Sequence, residues 1–145
     1  METPILFKFV KMDLAQFATF EDGYVDENAQ LEIFNRFQFA YNFAEHLVLC
    51  KTIIEVSKKE KILLKADFDC IFLIDSESAK TIESDTEAVI PQGLLAQFAS
   101  LAYGSLRGVV YLKTADTPFS NFVLPPNDVT SIFKEPQRFQ RATTK

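Results

Sequence analysis

The sequence predicts an α+β fold, in which an antiparallel β-sheet of about four strands carries a long helix and a short C-terminal helix on one side. Apolar and polar residues alternate over much of residues 5–74, with the period of half-buried strands. An apolar stripe at helical spacing follows Pro91. At 145 residues the chain is long enough to bury a real core. We therefore expect residues 1–133 to form a single domain and residues 134–145 to form a flexible tail.

The first two predicted strands lie on either side of an acidic loop. Residues 5–20 begin with an alternating pattern, although strand and helix both fit the chain from Leu14 onward. Residues 21–30 are acidic and rich in turn formers, which indicates a loop. Residues 31–43 alternate again, and a phase break near residues 34–36 predicts a bulge or bend in that strand.

The clearest local signal is a β-hairpin made of residues 47–56 and 62–74. The charged segment between them is expected to be a solvated turn. If paired residue numbers sum to about 120, Cys50 faces Cys70 across the two strands. One face of the second strand is entirely apolar: Ile62, Leu64, Ala66, Phe68, Cys70, Phe72 and Ile74.

The C-terminal half is predicted to contain the helices. Residues 75–88 are polar and acidic, which indicates a connection. Proline is tolerated in the first helical turn, so Pro91 marks the start of the long helix. Either Asn127 or Asp128 can cap the short final helix. The predicted core stripe of the long helix comprises Leu94, Phe98, Leu101, Ser105, Val109 and Leu112, with Leu95 and Ala102 beside it.

Composition argues against several classes of partner. The net charge of −5 is opposite to what phosphate backbones attract, so nucleic acid is not an expected partner. It also leaves no polybasic membrane anchor, and no apolar run reaches the roughly 18 residues of a membrane-spanning helix. The N-terminal residues lack the features of a signal peptide. With only two cysteines, we expect a cytoplasmic protein with reduced thiols.

Reacting groups are few, and we expect neither an enzyme nor a bound metal or cofactor. His46 is the only histidine, and a catalytic triad or metal cluster would need partners for it. Cys50 and Cys70 are interpreted as small buried side chains, because two thiols and one distant imidazole would leave a zinc site incomplete. The glycines are too dispersed to build a phosphate-binding loop.

Two features of the apolar residues are unusual. Between residues 114 and 133, large apolar side chains alternate with prolines and other turn formers. On the back of the long helix, Gly104 and Gly108 open the same side, at a cost of about 1 kcal/mol each against alanine. Subunit packing would explain that cost, while simple tolerance or an early helix end at Gly104 remain alternatives. The predicted oligomer interface is Gln97, Ser100, Gly104, Gly108 and Tyr111.

Three segments carry a resemblance to a known family. "DFDCIFLI" (67–74) is followed by an acidic connection, "VIPQGLLAQFASLAYGSLRG" (89–108) contains the helix after a proline, and "TPFSNFVLPPNDVTSIF" (117–133) leads through a P-x-N to the final short helix. In this order they resemble the SecB-type protein-export chaperones. About half of the chain carries the resemblance in sequence, and the N-terminal strands match only in pattern.

The resemblance implies a homotetramer, built as a dimer of dimers, that holds unfolded preproteins in long apolar grooves without ATP and keeps them competent for translocation. Stiff prolines would hold aromatic side chains at the wall of such a groove, although each of them could instead fill the core beneath the helix. The predicted client-binding residues are Phe68, Phe72, Ile74, Leu101, Phe119, Phe122 and Leu124.

The resemblance also implies a further partner, the SecA-type motor ATPase, which the family contacts partly through acidic residues on the sheet. The nearest acidic cluster is Asp22, Asp26 and Glu27. Some family members serve toxin–antitoxin systems instead, so an adaptor dedicated to one partner, such as an antitoxin or a phage-related protein, stays open. An enzyme or small-ligand carrier on the same scaffold is the third alternative.

Overall fold

The computed structural model describes residues 4–20 and 31–142 of the chain. Six strands, two α-helices and one 3-10 turn follow one another within these ranges. In chain order they are β1 (Phe7–Thr19), β2 (Glu32–Asn42), β3 (Leu47–Lys58), β4 (Lys61–Ile74), α1 (Ser76–Ile82), β5 (Glu87–Ile90), α2 (Gln92–Lys113), the 3-10 turn (Val129–Ser131) and β6 (Gln137–Gln140). The predicted α+β class, with a four-stranded sheet and a long helix, is confirmed.

The main sheet is antiparallel, with strand order β1-β4-β3-β2. The β3–β4 hairpin turns through Lys59 and Glu60, both with positive φ, as tight two-residue hairpin turns require. Its register places Cys50 opposite Cys70, as the alternation predicts. One sheet face carries the buried residues, and we call it the inner face.

The register irregularities lie in the β1–β4 and β3–β4 pairs and not in β2. Register shifts occur in β1 on either side of residues 11–14, whereas β2 pairs with β3 without a shift. The expected bulge at residues 34–36 is therefore wrong. Phe34 lies on the outer face and is exposed, while Asn35 takes the inward position. A polar residue thus occupies an inward-facing position. The alternation of apolar and polar residues is therefore interrupted in the sequence, although the strand itself is regular.

Helix α2 packs on the inner face. The carbonyl oxygen of Pro91 accepts from the backbone N–H groups of Leu94 and Leu95, and the helix continues through Gly104 to Lys113. Its buried face comprises Leu94, Leu95, Ala96, Phe98, Ala99, Ala102, Tyr103, Leu106 and Val110. The predicted stripe is right at Leu94, Phe98 and Val109 and wrong at Leu101 and Leu112, which are exposed. Both faces have helical spacing, and only contact with the sheet selects between them.

The segments before and after α2 meet in a second, two-stranded sheet. Asp75 caps α1, its carboxylate accepting from two backbone N–H groups in the first turn. After α1, β5 pairs antiparallel with β6, from Glu87 opposite Gln140 to Ile90 opposite Gln137. Four residues that the sequence assigned to a flexible tail therefore form a strand.

Candidate functional site

The core under the first half of α2 is an aromatic cluster. Phe72 of β4 stacks against Phe98 of α2 at 4.4 Å between ring centroids, and Phe7 of β1 meets the Phe98 ring edge-on at 4.8 Å. Phe68 and Ile74 are as deeply buried as Phe72. These three predicted client-binding residues lie in the core of the single chain.

The proline-rich loop after α2 is tied to the flank of the helix. The Tyr103 hydroxyl donates to the carbonyl oxygen of Pro125 at 2.7 Å, and Arg107 Nε donates to that of Leu124 at the same distance, 2.7 Å. In this loop Phe119 is only 2% exposed and Leu124 is fully buried. The expectation of an open aromatic wall is thus corrected at these two positions, where the core alternative applies.

The remaining predicted client-binding residues are more accessible. Phe122 is partly buried against the core, and Leu101 is 39% exposed on α2. Val123, in the same loop as Phe122, is exposed. The loop therefore presents some apolar surface to solvent, although less than the number of its aromatic residues suggests.

A row of aromatic side chains on β2 extends the inner face beyond the part that α2 covers. We call Phe37, Phe39 and Tyr41 the β2 aromatic row; they lie across from buried positions of β3 and are only partly buried themselves. Phe133 packs on the rings of Phe37 and Phe39, with centroid distances of 6.0 and 5.7 Å. Phe139 lies 6.1 Å from Tyr41. The chain's own C-terminal end thus covers the row.

An open concavity borders this C-terminal segment. It has a volume of about 810 Å³ and is lined by Leu95 of α2 and by residues 132–138.

The sequence analysis did not assign the β2 aromatic row to a site, because its alternation explains a strand equally well. One helix of 22 residues is too small to cover the apolar side chains of four strands, and this mismatch could have indicated that part of the inner face lies outside the helix contact.

Glu83, in the connection between α1 and β5, joins several segments. Its carboxylate accepts a hydrogen bond from Tyr41, lies 2.8 Å from His46 Nδ1 and forms an ion pair of 3.6 Å with Arg141. Burial, and then the hydrogen bond to Glu83, raise the pKa of Tyr41 well above its ordinary value. The Arg141 guanidinium lies 4.4 Å from the centroid of the Phe43 ring. His46 therefore takes part in a contact between segments.

The two cysteines face each other in the core and are fully buried. Burial raises the pKa of both Cys50 and Cys70 to about 12. Both are thus neutral thiols at physiological pH, and thiols in that state are poor nucleophiles. Within residues 4–20 and 31–142, no three His, Cys, Asp or Glu side chains converge as a metal site would need.

The predicted oligomer interface forms an exposed stripe along α2. Gln97, Ser100, Gly104, Gly108 and Tyr111 are all exposed. A methyl group placed on Gly104 or Gly108 would meet no other atom within 4 Å. Packing within the single chain therefore does not require glycine at these two positions, and the stripe is accessible to a partner.

The outer face of the sheet combines ion pairs and apolar side chains. Lys51 and Asp69 lie 3.1 Å apart across the β3–β4 pair, and Lys65 lies 3.6 Å from Glu55.

No helix in the described residues is both long and apolar enough to cross a membrane. The acidic cluster suggested by the resemblance lies outside the described residues: Asp22, Asp26 and Glu27.

The fold is that of the SecB-like chaperones. A solved structure that shares it is the Mycobacterium tuberculosis SecB-like chaperone Rv1957, in complex with a ChAD peptide from the Rv1956 HigA1 antitoxin. The TM-score is 0.52 at 12% identity, over 82% of this chain and 89% of that one. No family profile matches the sequence, and no curated protein matches it.

Proposed function

We propose that this protein is a molecular chaperone of the SecB type, which binds unfolded polypeptides on apolar surface and keeps them competent for translocation without ATP. The observation that carries the proposal is the β2 aromatic row, an apolar extension of the inner face in a SecB-like fold. Apolar surface of this kind binds by area and not by close shape matching, so it accepts many sequences.

Within the predicted client-binding set, two residues are reachable in the single chain. Leu101 and Phe122 offer apolar side chains directly, and the β2 aromatic row would add three more where the C-terminal end moves off it. The buried members support that surface from below: Phe68, Phe72, Ile74, Phe119 and Leu124. A client would bind these buried side chains only if α2 or the loop moved away from the sheet.

We further propose that the molecule is a homotetramer in which α2 packs against α2 of another subunit. The stripe containing Gly104 and Gly108 supports this, because small residues allow two helix backbones to approach closely. Leu112, which is exposed on α2, would add apolar area to the contact. Several client surfaces in one assembly raise the avidity for a long unfolded chain.

A second candidate function is that of an adaptor dedicated to one partner. It is favoured by the structural neighbour, a SecB-like chaperone solved with a peptide from an antitoxin. The export-type function would also include a cytoplasmic location and delivery to a SecA-type motor, whereas the dedicated adaptor needs neither.

One experiment separates these proposals. The mass of the assembly is measured by light scattering, and the protein is then added to a chemically unfolded, aggregation-prone enzyme diluted into buffer without ATP. A tetramer that suppresses the aggregation of several unrelated enzymes supports the general chaperone. Binding to a single antitoxin-type partner, with no effect on aggregation, supports the adaptor. A monomer that does neither contradicts both.

A further inference from the structure

The C-terminal segment lies on the surface to which client binding is assigned. Phe133 and Phe139 contact the β2 aromatic row, and β6, which includes Phe139, pairs with β5. We call residues 133–142 the C-terminal strap. An extended segment with aromatic side chains, which is the form an unfolded client would present, is thus already seated on this surface.

The backbone pairing that holds the C-terminal strap is short. The β5–β6 sheet has only two strands, and each contributes four residues. An isolated pair of strands is marginally stable at best in water. Phe133 and Phe139 are only partly buried, and Arg138 and Gln140 are exposed.

The polar contacts of the C-terminal strap differ in how accessible they are to solvent. Arg138 Nη1 lies 2.8 Å from Glu87 Oε1, and the Arg138 side chain is 60% exposed. Arg141 Nη2 donates to the carbonyl oxygen of Ser84 at 3.3 Å and pairs with Glu83. The Glu83 side chain is 14% exposed, whereas an exposed pair such as Arg138–Glu87 contributes little to stability and is screened by salt. Detachment of the strap would therefore expose β5 and two carboxylates.

We propose that the C-terminal strap is an internal competitor that occupies the client surface in the free protein, so that an unfolded polypeptide binds by taking the place of β6 beside β5. This inference rests on the proposed chaperone function. The incoming segment forms main-chain hydrogen bonds with β5, and its apolar side chains lie on the β2 aromatic row. The apparent affinity for a client is then the intrinsic affinity multiplied by the fraction of molecules in which the strap is detached.

Removal of the C-terminal strap tests the proposal. A chain ending at Ile132 and the full chain are titrated into fluorescently labelled, reduced and carboxymethylated α-lactalbumin, which stays unfolded, and binding is followed by anisotropy. If the strap is detached in about a tenth of molecules, its removal strengthens binding about tenfold. Circular dichroism checks that the shortened chain is folded.

A reversible lock provides the second arm, which does not depend on folding of the shortened chain. Val89 and Arg138 are opposite each other in the β5–β6 pair. In the double variant Val89→Cys/Arg138→Cys, oxidation should join the strands, and we expect the oxidised form to bind α-lactalbumin several-fold more weakly than the reduced form. The reduced variant is the matched control, and oxidant-treated wild type controls for the native cysteines.

The outcomes separate this inference from the function on which it rests. If the full chain binds and neither removal nor locking of the strap changes its affinity, the competitor is disproved while the chaperone function stands. Weaker binding after removal would also overturn it, because the strap would then belong to the client site. If no variant binds, both proposals fail.

Discussion

The hydroxyl of Tyr103, in the middle of α2, donates a hydrogen bond of 2.7 Å to the carbonyl oxygen of Pro125, 22 residues later in the chain. With the Arg107–Leu124 contact, this bond positions the proline-rich loop on α2. Both donors belong to the helix and both acceptors are backbone carbonyls. The position of the loop therefore depends on two side chains and not on the prolines alone.

Removal of the Tyr103 hydroxyl should loosen the loop without unfolding the protein. We expect Tyr103→Phe to lower the free energy of unfolding by about 1 kcal/mol, the usual net contribution of one hydrogen bond. Urea denaturation measures this value. Ser120→Ala is the control, because Ser120 is exposed in the loop itself and loss of its hydroxyl should change stability by less than about 0.5 kcal/mol. Equal effects of the two substitutions would contradict the role given to Tyr103.

Phe119 and Phe122 should differ in what their replacement costs. Because Phe119 is 2% exposed, Phe119→Ala should destabilise the fold by about 3–5 kcal/mol. Phe122→Ala should cost less, since Phe122 is partly buried, and should weaken binding of an unfolded client. Denaturation midpoints and anisotropy titrations check the two effects. Stability lost equally at both positions would place Phe122 in the core as well.

The exposed stripe of α2 predicts the behaviour of a glycine variant. The space at Gly104 is open within one chain, so Gly104→Leu should keep the subunit folded but reduce the mass of the assembly. Light scattering measures the mass and circular dichroism the helix content. Gln92→Leu, at an exposed site in the first turn of α2, controls for an added apolar side chain. An unchanged tetramer in Gly104→Leu would exclude helix packing at this position.

The buried cysteines predict a pH dependence of thiol reactivity and of stability. The pKa values of Cys50 and Cys70 lie near 12, above the ordinary value of 9.0. Folding favours the neutral thiols, so this contribution to stability is complete below about pH 9 and decreases as the pH rises toward 12. A thiol reagent at pH 8 should therefore label the native protein far more slowly than the urea-unfolded protein. Rapid labelling of the native protein would show that the core opens at these strands.

Local sequence patterns predicted the elements that form from neighbouring residues. The β3–β4 hairpin was predicted with its register, because the alternation, the turn and the pairing all lie within one short stretch. Asp128, one of two proposed caps, does cap the final turn. That turn, Val129–Ser131, is shorter than the predicted helix.

Elements that depend on distant partners were predicted less well. Strand β6 has too short a pattern to identify on its own, and it forms because β5, about fifty residues earlier, presents an edge. The client-binding set was predicted from apolar character, which does not distinguish a residue under α2 from one beside it. Phe72 and Phe39 both lie in segments with a strand pattern, and their positions in the sheet give them different exposure.

By itself, the sequence determined the α+β class, the alternating strands, the start of α2 and the small, buried cysteines, because each follows from a pattern in a few neighbouring residues. The tertiary structure alone decided which face of α2 meets the sheet, which loop residues turn inward, and that the C-terminal end covers the β2 aromatic row. These outcomes depend on which of several equally apolar surfaces can be buried together. Because the hydrophobic effect is non-directional, apolar character alone does not select among those surfaces.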